Sequence, residues 1–342
     1  MLFGLFFLPL IATIILILAI FPYAIKFGFI DHPSARKKHD KPTPPIGGLA
    51  IFLGTLLTLS IYDIQMPHQG AFILALTLLV IVGAIDDYRE LNVKLRLAAQ
   101  ICAGLIMTEF ADIKINDMGD LLGYGTLHLG HYSTALTVFA VVGGINAFNM
   151  IDGIDGLSSS SSLISIGLVA LLAFAFNNPL LLNLSIIFMG AIIAFLLFNL
   201  RIFGRSKGLI FLGDSGSTLL GFTICWLIIQ GSQHPNPIMT PTLVLWVIAL
   251  PLYDSICIMM RRIHKGKSPF APDREHLHHV LPMKGFSINE TLLIILASSL
   301  LLAGTAIVSS VIFKVADNIL FFAFLICFAS FYAFMHNTIE KD

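Results

Sequence analysis

The sequence predicts an all-α fold, a polytopic bundle of about eleven transmembrane helices forming a single domain over 1–342. Three observations point there. First, 57% of the 342 residues are hydrophobic and only 12% are charged, with a mean hydropathy of +0.89. A soluble domain carries about 25% charge, and its surface grows too slowly with mass to hide so much apolar area. Second, apolar stretches close to the roughly 20 residues that cross a bilayer recur along the whole chain. Third, the cations are shared very unequally between alternate connections.

The apolar segments fall near 2–25, 46–62, 71–85, 95–110, 134–150, 158–176, 180–199, 209–229, 241–260, 291–313 and 317–336. The first is apolar from its first residue, and its cations follow it at Lys26 and Arg36-Lys37-Lys38. A secretory signal would place Lys or Arg ahead of the apolar run, so a retained helix with its N-terminus outside is expected. The third and fourth segments are short, and only a Gly-rich turn separates the fifth from the sixth, which leaves nine or ten as alternative counts.

The count can be tested against charge. With the N-terminus outside and the C-terminus cytoplasmic, the inside connections hold Lys26, Arg36, Lys37, Lys38, Lys41, Arg89, Lys94, Arg96, Arg201, Arg205, Lys207, Arg261, Arg262, Lys265, Lys267, Arg274, Lys284 and Lys341. Only Lys114 and Lys314 fall outside. One missed helix would scramble that alternation, so the bias supports the count as well as the orientation. Cys102, Cys225, Cys257 and Cys327 each lie in an apolar run without a CxxC pairing and read as small core thiols.

The polar residues that hydropathy does not excuse gather in four places, all on the expected cytoplasmic side. Carboxylates at membrane depth are expensive and functional by default. Asp86-Asp87 close the third segment, with Lys94 and Arg96 opening the fourth. Adjacent acids at a helix C-terminus repel each other and the helix dipole, a strain that a divalent cation would relieve. The plainer account is two solvated acids in a short loop. In Asn146-Ala-Phe-Asn149-Met-Ile-Asp152-Gly-Ile-Asp155-Gly, polar residues recur every third position before Gly153 and Gly156 break the helix. Here the plainer account makes Asp152 and Asp155 caps of the sixth helix. Phe211-Leu-Gly213-Asp214-Ser215-Gly216-Ser217 sits near the start of the eighth helix, where small residues let backbone approach a ligand and Asp214 suits a metal. The longest inside loop runs from Arg261 through Asp273-Arg274-Glu275-His276-Leu-His278-His279 and sets cations and imidazoles opposite the acids. Three clustered histidines allow a zinc site, although no Cys accompanies them. Asp254, inside the ninth segment, is expected to pair with Arg261 two turns on.

Carboxylates for a metal and cations for phosphates, without a Walker loop, a Rossmann fingerprint or a Ser-His-Asp order, fit phosphoryl transfer to a substrate held in the membrane. An ion-coupled transporter is the rival from another class, and it would cluster its carboxylates near the midplane.

At these four places the chain resembles the polyprenyl-phosphate N-acetylhexosamine-1-phosphate transferases, through Asp86-Asp87, NAFNMIDGIDGL from Asn146, FLGDSGS and SPFAPDREHLHH. The likeness extends to the early loop DHPSARKKHDKPTPPIGGLAIF and runs through nearly the whole length. Within the family it is most similar to the members that transfer GlcNAc-1-phosphate to undecaprenyl phosphate; those that transfer phospho-MurNAc-pentapeptide usually carry a His-His-His segment in another context. The resemblance implies UDP-GlcNAc as donor, undecaprenyl phosphate as acceptor, UMP as product, and Mg²⁺ as cofactor with Mn²⁺ able to substitute. It implies a multi-pass protein of the bacterial inner membrane that takes the first lipid-linked step of surface polysaccharide synthesis. Membrane lipid, a homodimer and no nucleic acid complete the expected partners. Asp214 matches the metal ligand, and Asp86 and Asp87 the paired catalytic acids, with Asp87 counted beside Asp214 as a metal ligand. Lys94 and Asn149 match pyrophosphate contacts, Asp152 and Asp155 the DGxDG acids, with Asp155 near the nucleotide, and Arg274, His276, His278 and His279 the donor-binding segment. Another UDP-N-acetylhexosamine, including the MurNAc-pentapeptide form, is the alternative donor. Because a phosphate monoester is mostly dianionic above its second pKa of about 6, direct attack on the sugar-bearing phosphorus is favoured, and a covalent aspartyl-phosphate is the alternative.

Overall fold

The computed structural model describes residues 1–31, 42–202, 204–233, 236–269 and 274–340. Arg36, Lys37, Lys38, Lys41, Asp273 and Lys341, named above, lie outside the described residues.

Each of the eleven apolar segments is helical. They form α1 (Leu2–Lys26), α2 (Gly47–Ile61), α3 (Gln69–Tyr88), α4 (Val93–Leu105, continued as a π-turn over Ile106–Phe110), α5 (Ser133–Met150), α6 (Leu157–Ala175), α7 (Pro179–Asn199) and α8 (Gly213–Gln233). The ninth segment is two helices, α9 (Pro241–Val247) and α10 (Ala249–His264); a short α11 (Leu277–Met283) precedes α12 (Ile288–Ile307) and α13 (Asp317–Ile339). Among the described residues no strand forms beyond isolated bridges at Asp31–Thr43 and Asp117–His128. Among the described residues seven helices are long and apolar enough to cross a membrane, eight if the bent α9–α10 pair is one span, while α2 is shorter.

The α9–α10 bend of 80° departs from the single span read over 241–260. Its cause is Pro251 in the first turn of α10, which has no N–H for the Val247 carbonyl and whose ring would collide with it. The freed carbonyl is taken by the Ser165 hydroxyl of α6 at 3.0 Å, which meets at the break the group that Pro251 leaves unmet.

α8 is the axis of the fold. Nearly all of its residues from Ser215 to Ile229 are buried, and α2, α3, α5 and α6 pack around it. α1 and α13 expose most of their apolar surface, as lipid-facing helices do. Cys225 and Cys257 are buried core thiols; Cys102 is exposed instead, and all four cysteines are free.

Candidate active site

The site forms where the C-termini of α3 and α5 meet the N-terminus of α8. Gly213 enters α8 with φ +76°, and a Cβ there would lie 2.5 Å from an Asp87 carboxylate oxygen. On α3, a Cβ at Gly83 would lie 2.4 Å from the Ser215 Cα. Only glycine at both positions lets the α8 start descend onto the end of α3.

Asp87 uses that approach. Its Oδ1 accepts from the Asp214 N–H at 2.7 Å, and its Oδ2 accepts from the Ser215 N–H at 3.2 Å and the Ser215 hydroxyl at 3.1 Å. A carboxylate thus caps the positive end of the α8 dipole from another helix. Asp86, 6% exposed, accepts from the Leu91 N–H at 2.5 Å and from Arg96 Nη1 at 3.0 Å. That burial removes the plainer account of two solvated acids. Asp214 accepts from Asn149 Nδ2 at 2.6 Å, and Asn149 also donates to the Ser217 hydroxyl at 2.9 Å. The Asp214 carboxyl faces Asp86 directly, with Arg96 Nη1 3.9 Å away.

The turn after α5 brings the fourth acid. Asp152 keeps some exposed surface, yet its carboxyl is desolvated in the crowded turn. That desolvation, then the charges of Asp214, Asp87 and Asp155, push it well above the usual carboxylate range. Neither Asp152 nor Asp155 caps α6, whose N-cap is Gly156 at φ +81°. Asp155 accepts from Arg201 Nε at 2.8 Å and the Gly208 N–H at 3.0 Å, tying this turn to the 200–212 connection. Asn199 makes the same tie, accepting from the Gly156 N–H at 2.6 Å and donating to the Ile210 carbonyl at 2.8 Å.

Four carboxylates therefore converge with one close guanidinium. Hydropathy and spacing singled out Asp86, Asp87, Asn149, Asp152 and Asp214, and the structure brings these together. Asp155 stands beside them, occupied by Arg201. Lys94 is exposed at the start of α4. Arg96, two residues on, is the cation that reaches the acids; it faces them because α4 packs on α3 and α5. His276, the N-cap of α11, and His278 in its first turn are buried and His279 is half-buried, while Arg274 is exposed ahead of them. His278 packs on the acidic turn so tightly that a Cβ on Gly153 would lie 1.9 Å from its Nε2. Asp254 bonds to His276, and Arg261 to Glu275, so the expected Asp254–Arg261 pair does not form.

Among the described residues no three His, Cys, Asp or Glu groups are already arranged as a metal cage. The donor set nevertheless suits a hard divalent cation. It is all oxygen, carries more negative than positive charge, and each carboxylate keeps lone pairs beyond the hydrogen bonds it accepts.

An all-helical bundle of apolar helices with acids clustered at helix ends defines a class, the polytopic membrane proteins with a polar site at the helix ends. The profile of Glycosyl transferase family 4 matches residues 70–232, which contain every acid of this cluster. Three curated relatives carry the name undecaprenyl-phosphate alpha-N-acetylglucosaminyl 1-phosphate transferase. The Salmonella typhi protein is 36% identical over 305 residues, covering 89% of this chain and 83% of the relative. The Escherichia coli K12 protein is 34% identical over the same extent of each chain. The Pasteurella multocida protein is 36% identical over 310 residues, 90% of this chain and 86% of the relative. The chain belongs to this family of undecaprenyl-phosphate alpha-N-acetylglucosaminyl 1-phosphate transferases.

Proposed function

We propose that the chain transfers GlcNAc-1-phosphate from UDP-GlcNAc to undecaprenyl phosphate, giving undecaprenyl-diphosphate-GlcNAc and UMP, at the cytoplasmic face of a bacterial inner membrane crossed eleven times. The observation that carries this is the convergence of Asp86, Asp87, Asp152 and Asp214 with Arg96 and Asn149 in a bundle whose relatives bear that name. Acids at helix ends beside a cation-rich loop suit two phosphate substrates better than midplane ion coupling.

Asp214 and Asp87 would hold Mg²⁺, which would supply positive charge to offset that of the phosphates. The chain's own groups do the rest. Asp87 fixes the start of α8 and so the position of Asp214. Asn149, itself held by the Ser217 hydroxyl, orients the Asp214 carboxylate. Arg96 offsets the mutual repulsion of Asp86 and Asp214 and leaves a cation beside the site for a phosphate oxygen. The acceptor phosphate, with a second pKa of about 6, attacks as a dianion near neutrality, so Asp86 and Asp87 orient it without serving as a strong base.

The test is to incubate the purified protein with undecaprenyl phosphate, Mg²⁺ and a panel of UDP-sugars and to measure UMP release. Release with UDP-GlcNAc, abolished by chelation, is expected. Turnover with UDP-MurNAc-pentapeptide and none with UDP-GlcNAc would reassign the donor.

A further inference from the structure

Asp254 lies in the second turn of α10, 2% exposed, in a helix that packs on α5, α12 and α13. A carboxylate in that setting is costly unless its partners are specific. Both of its oxygens are directed to one place. Oδ2 stands 2.7 Å from His276 Nδ1, and Oδ1 accepts from the Leu277 N–H at 2.9 Å. A carboxylate can only accept, so His276 Nδ1 carries the proton. On the other side of the ring, Arg262 Nη2 lies 3.5 Å from Nε2. His276 is 5% exposed and stacks on His278 with ring centres 5.5 Å apart and planes 8° from parallel. His278, 3% exposed, rests in turn on Gly153, next to Asp152. A continuous path of contacts thus runs from Asp254 through His276 and His278 to the acidic turn.

We propose that Asp254 is a positioning residue for the donor: it anchors His276 and the Leu277 N–H so that the histidine segment is held against the Asp152 turn before the nucleotide sugar arrives. The alternative use of a buried acid, neutralising Arg261 in its own helix, is already served by Glu275, which accepts from Arg261 Nε at 2.9 Å. The two bonds of Asp254 fix an orientation, since one reaches the ring and the other the backbone of the next residue. A ring that turned freely about its χ angles would hold its neighbours in no single register. This assignment rests on the transferase reading above.

The experiment is a set of steady-state measurements on the purified full-length protein, varying donor and lipid acceptor separately, for Asp254→Ala, Asp254→Asn, His276→Ala and the Asp254→Ala/His276→Ala double variant. Asp254→Ala is expected to raise the donor KM about tenfold or more and to leave the acceptor KM within about twofold. Asp254→Asn should recover part of that loss, because its amide oxygen can still accept from the Leu277 N–H. The double variant should lose clearly less than the two single losses combined, since the part of Asp254's effect that runs through His276 is already gone in His276→Ala and only the Leu277 N–H anchor remains to be lost. If Asp254→Ala fails to fold, the Asn variant and its cycle with His276→Ala carry the same comparison. Additive losses, or a loss confined to the acceptor KM, would overturn the assignment while leaving an active parent's function in place. A parent that released no UMP from any UDP-sugar would remove the functional reading and this inference with it.

Discussion

Two clusters of buried charge lie at the same end of the bundle and are compensated differently. Around α10 and α11 the described acids Asp254 and Glu275 each have a match. Asp254 is bonded to His276 and the Leu277 N–H, and Glu275 holds both Arg261 and Lys265. Around the start of α8, four carboxylates share one nearby guanidinium and lean on backbone N–H groups and Asn149. Burying charge is tolerable only when it is paired, so the first cluster reads as the framework that holds the histidine segment in place and the second as the site proposed to take a cation and phosphates. The difference teaches that an incomplete account of charge, more than burial alone, marks the chemistry.

The sharpest way to break this comparison is at Asp214. Asp214→Asn keeps the shape and the Asn149 contact region but removes a charge from the uncompensated cluster. UMP release is expected to fall by about a hundredfold to a thousandfold, with the thermal unfolding midpoint little changed. Parent-level activity anywhere in a Mg²⁺ titration would move Asp214 into the architectural group.

Next come Asp86 and Asp87. Asp86→Asn and Asp87→Asn should stay severely impaired from neutral to alkaline pH, because the acceptor is already ionised above its pKa of about 6. Recovery at high pH in a pH–rate profile would instead assign proton removal to the pair. Asp87→Asn should also lose roughly 1 kcal/mol of stability, because it takes a full charge from the α8 N-terminus. Calorimetry or a thermal melt reads that directly.

Arg96 is a finer probe, as the cation that bonds to Asp86 and stands close to Asp214. Arg96→Gln is expected to lower kcat/KM about tenfold or more, and Lys94→Gln, at an exposed position, to lower it less. An equal or greater loss at Lys94 would mean that the exposed lysine reaches the phosphates when substrate binds.

The smallest effect belongs to Glu275 in the matched cluster. Burial alone would raise its pKa, but the hydrogen bonds from Lys265 and Arg261 outweigh that and hold it below the usual glutamate value. A carboxylate lowered in the folded state stabilises it fully above the unfolded pKa of about 4.3. The contribution disappears as pH falls through the lower folded value. Glu275→Gln should therefore reduce stability by less than about 1 kcal/mol near neutrality, and the gap from the parent should close in acid. A gap that widened in acid would contradict the pairing.

How much of this was legible without coordinates follows from the range of each interaction. The sequence by itself determined that the chain is helical and belongs in a bilayer, because one strongly apolar segment after another must satisfy its backbone internally, and each became a helix. It also marked Asp86, Asp87, Asn149, Asp152 and Asp214, since polar groups in register at the ends of apolar runs have no structural excuse. The tertiary structure alone decided which groups meet. Arg96 rather than Lys94 reaches the acids through the rotation of α4 against α3. Asp254 finds His276 across a returning loop where spacing along α10 suggested Arg261. The break at Ile248 was carried locally by Pro251, but the Ser165 hydroxyl that makes it tolerable comes from α6, 82 residues away in the chain. Periodicity and hydropathy report on neighbours three or four residues apart; pairings between helices depend on packing, which no local pattern encodes.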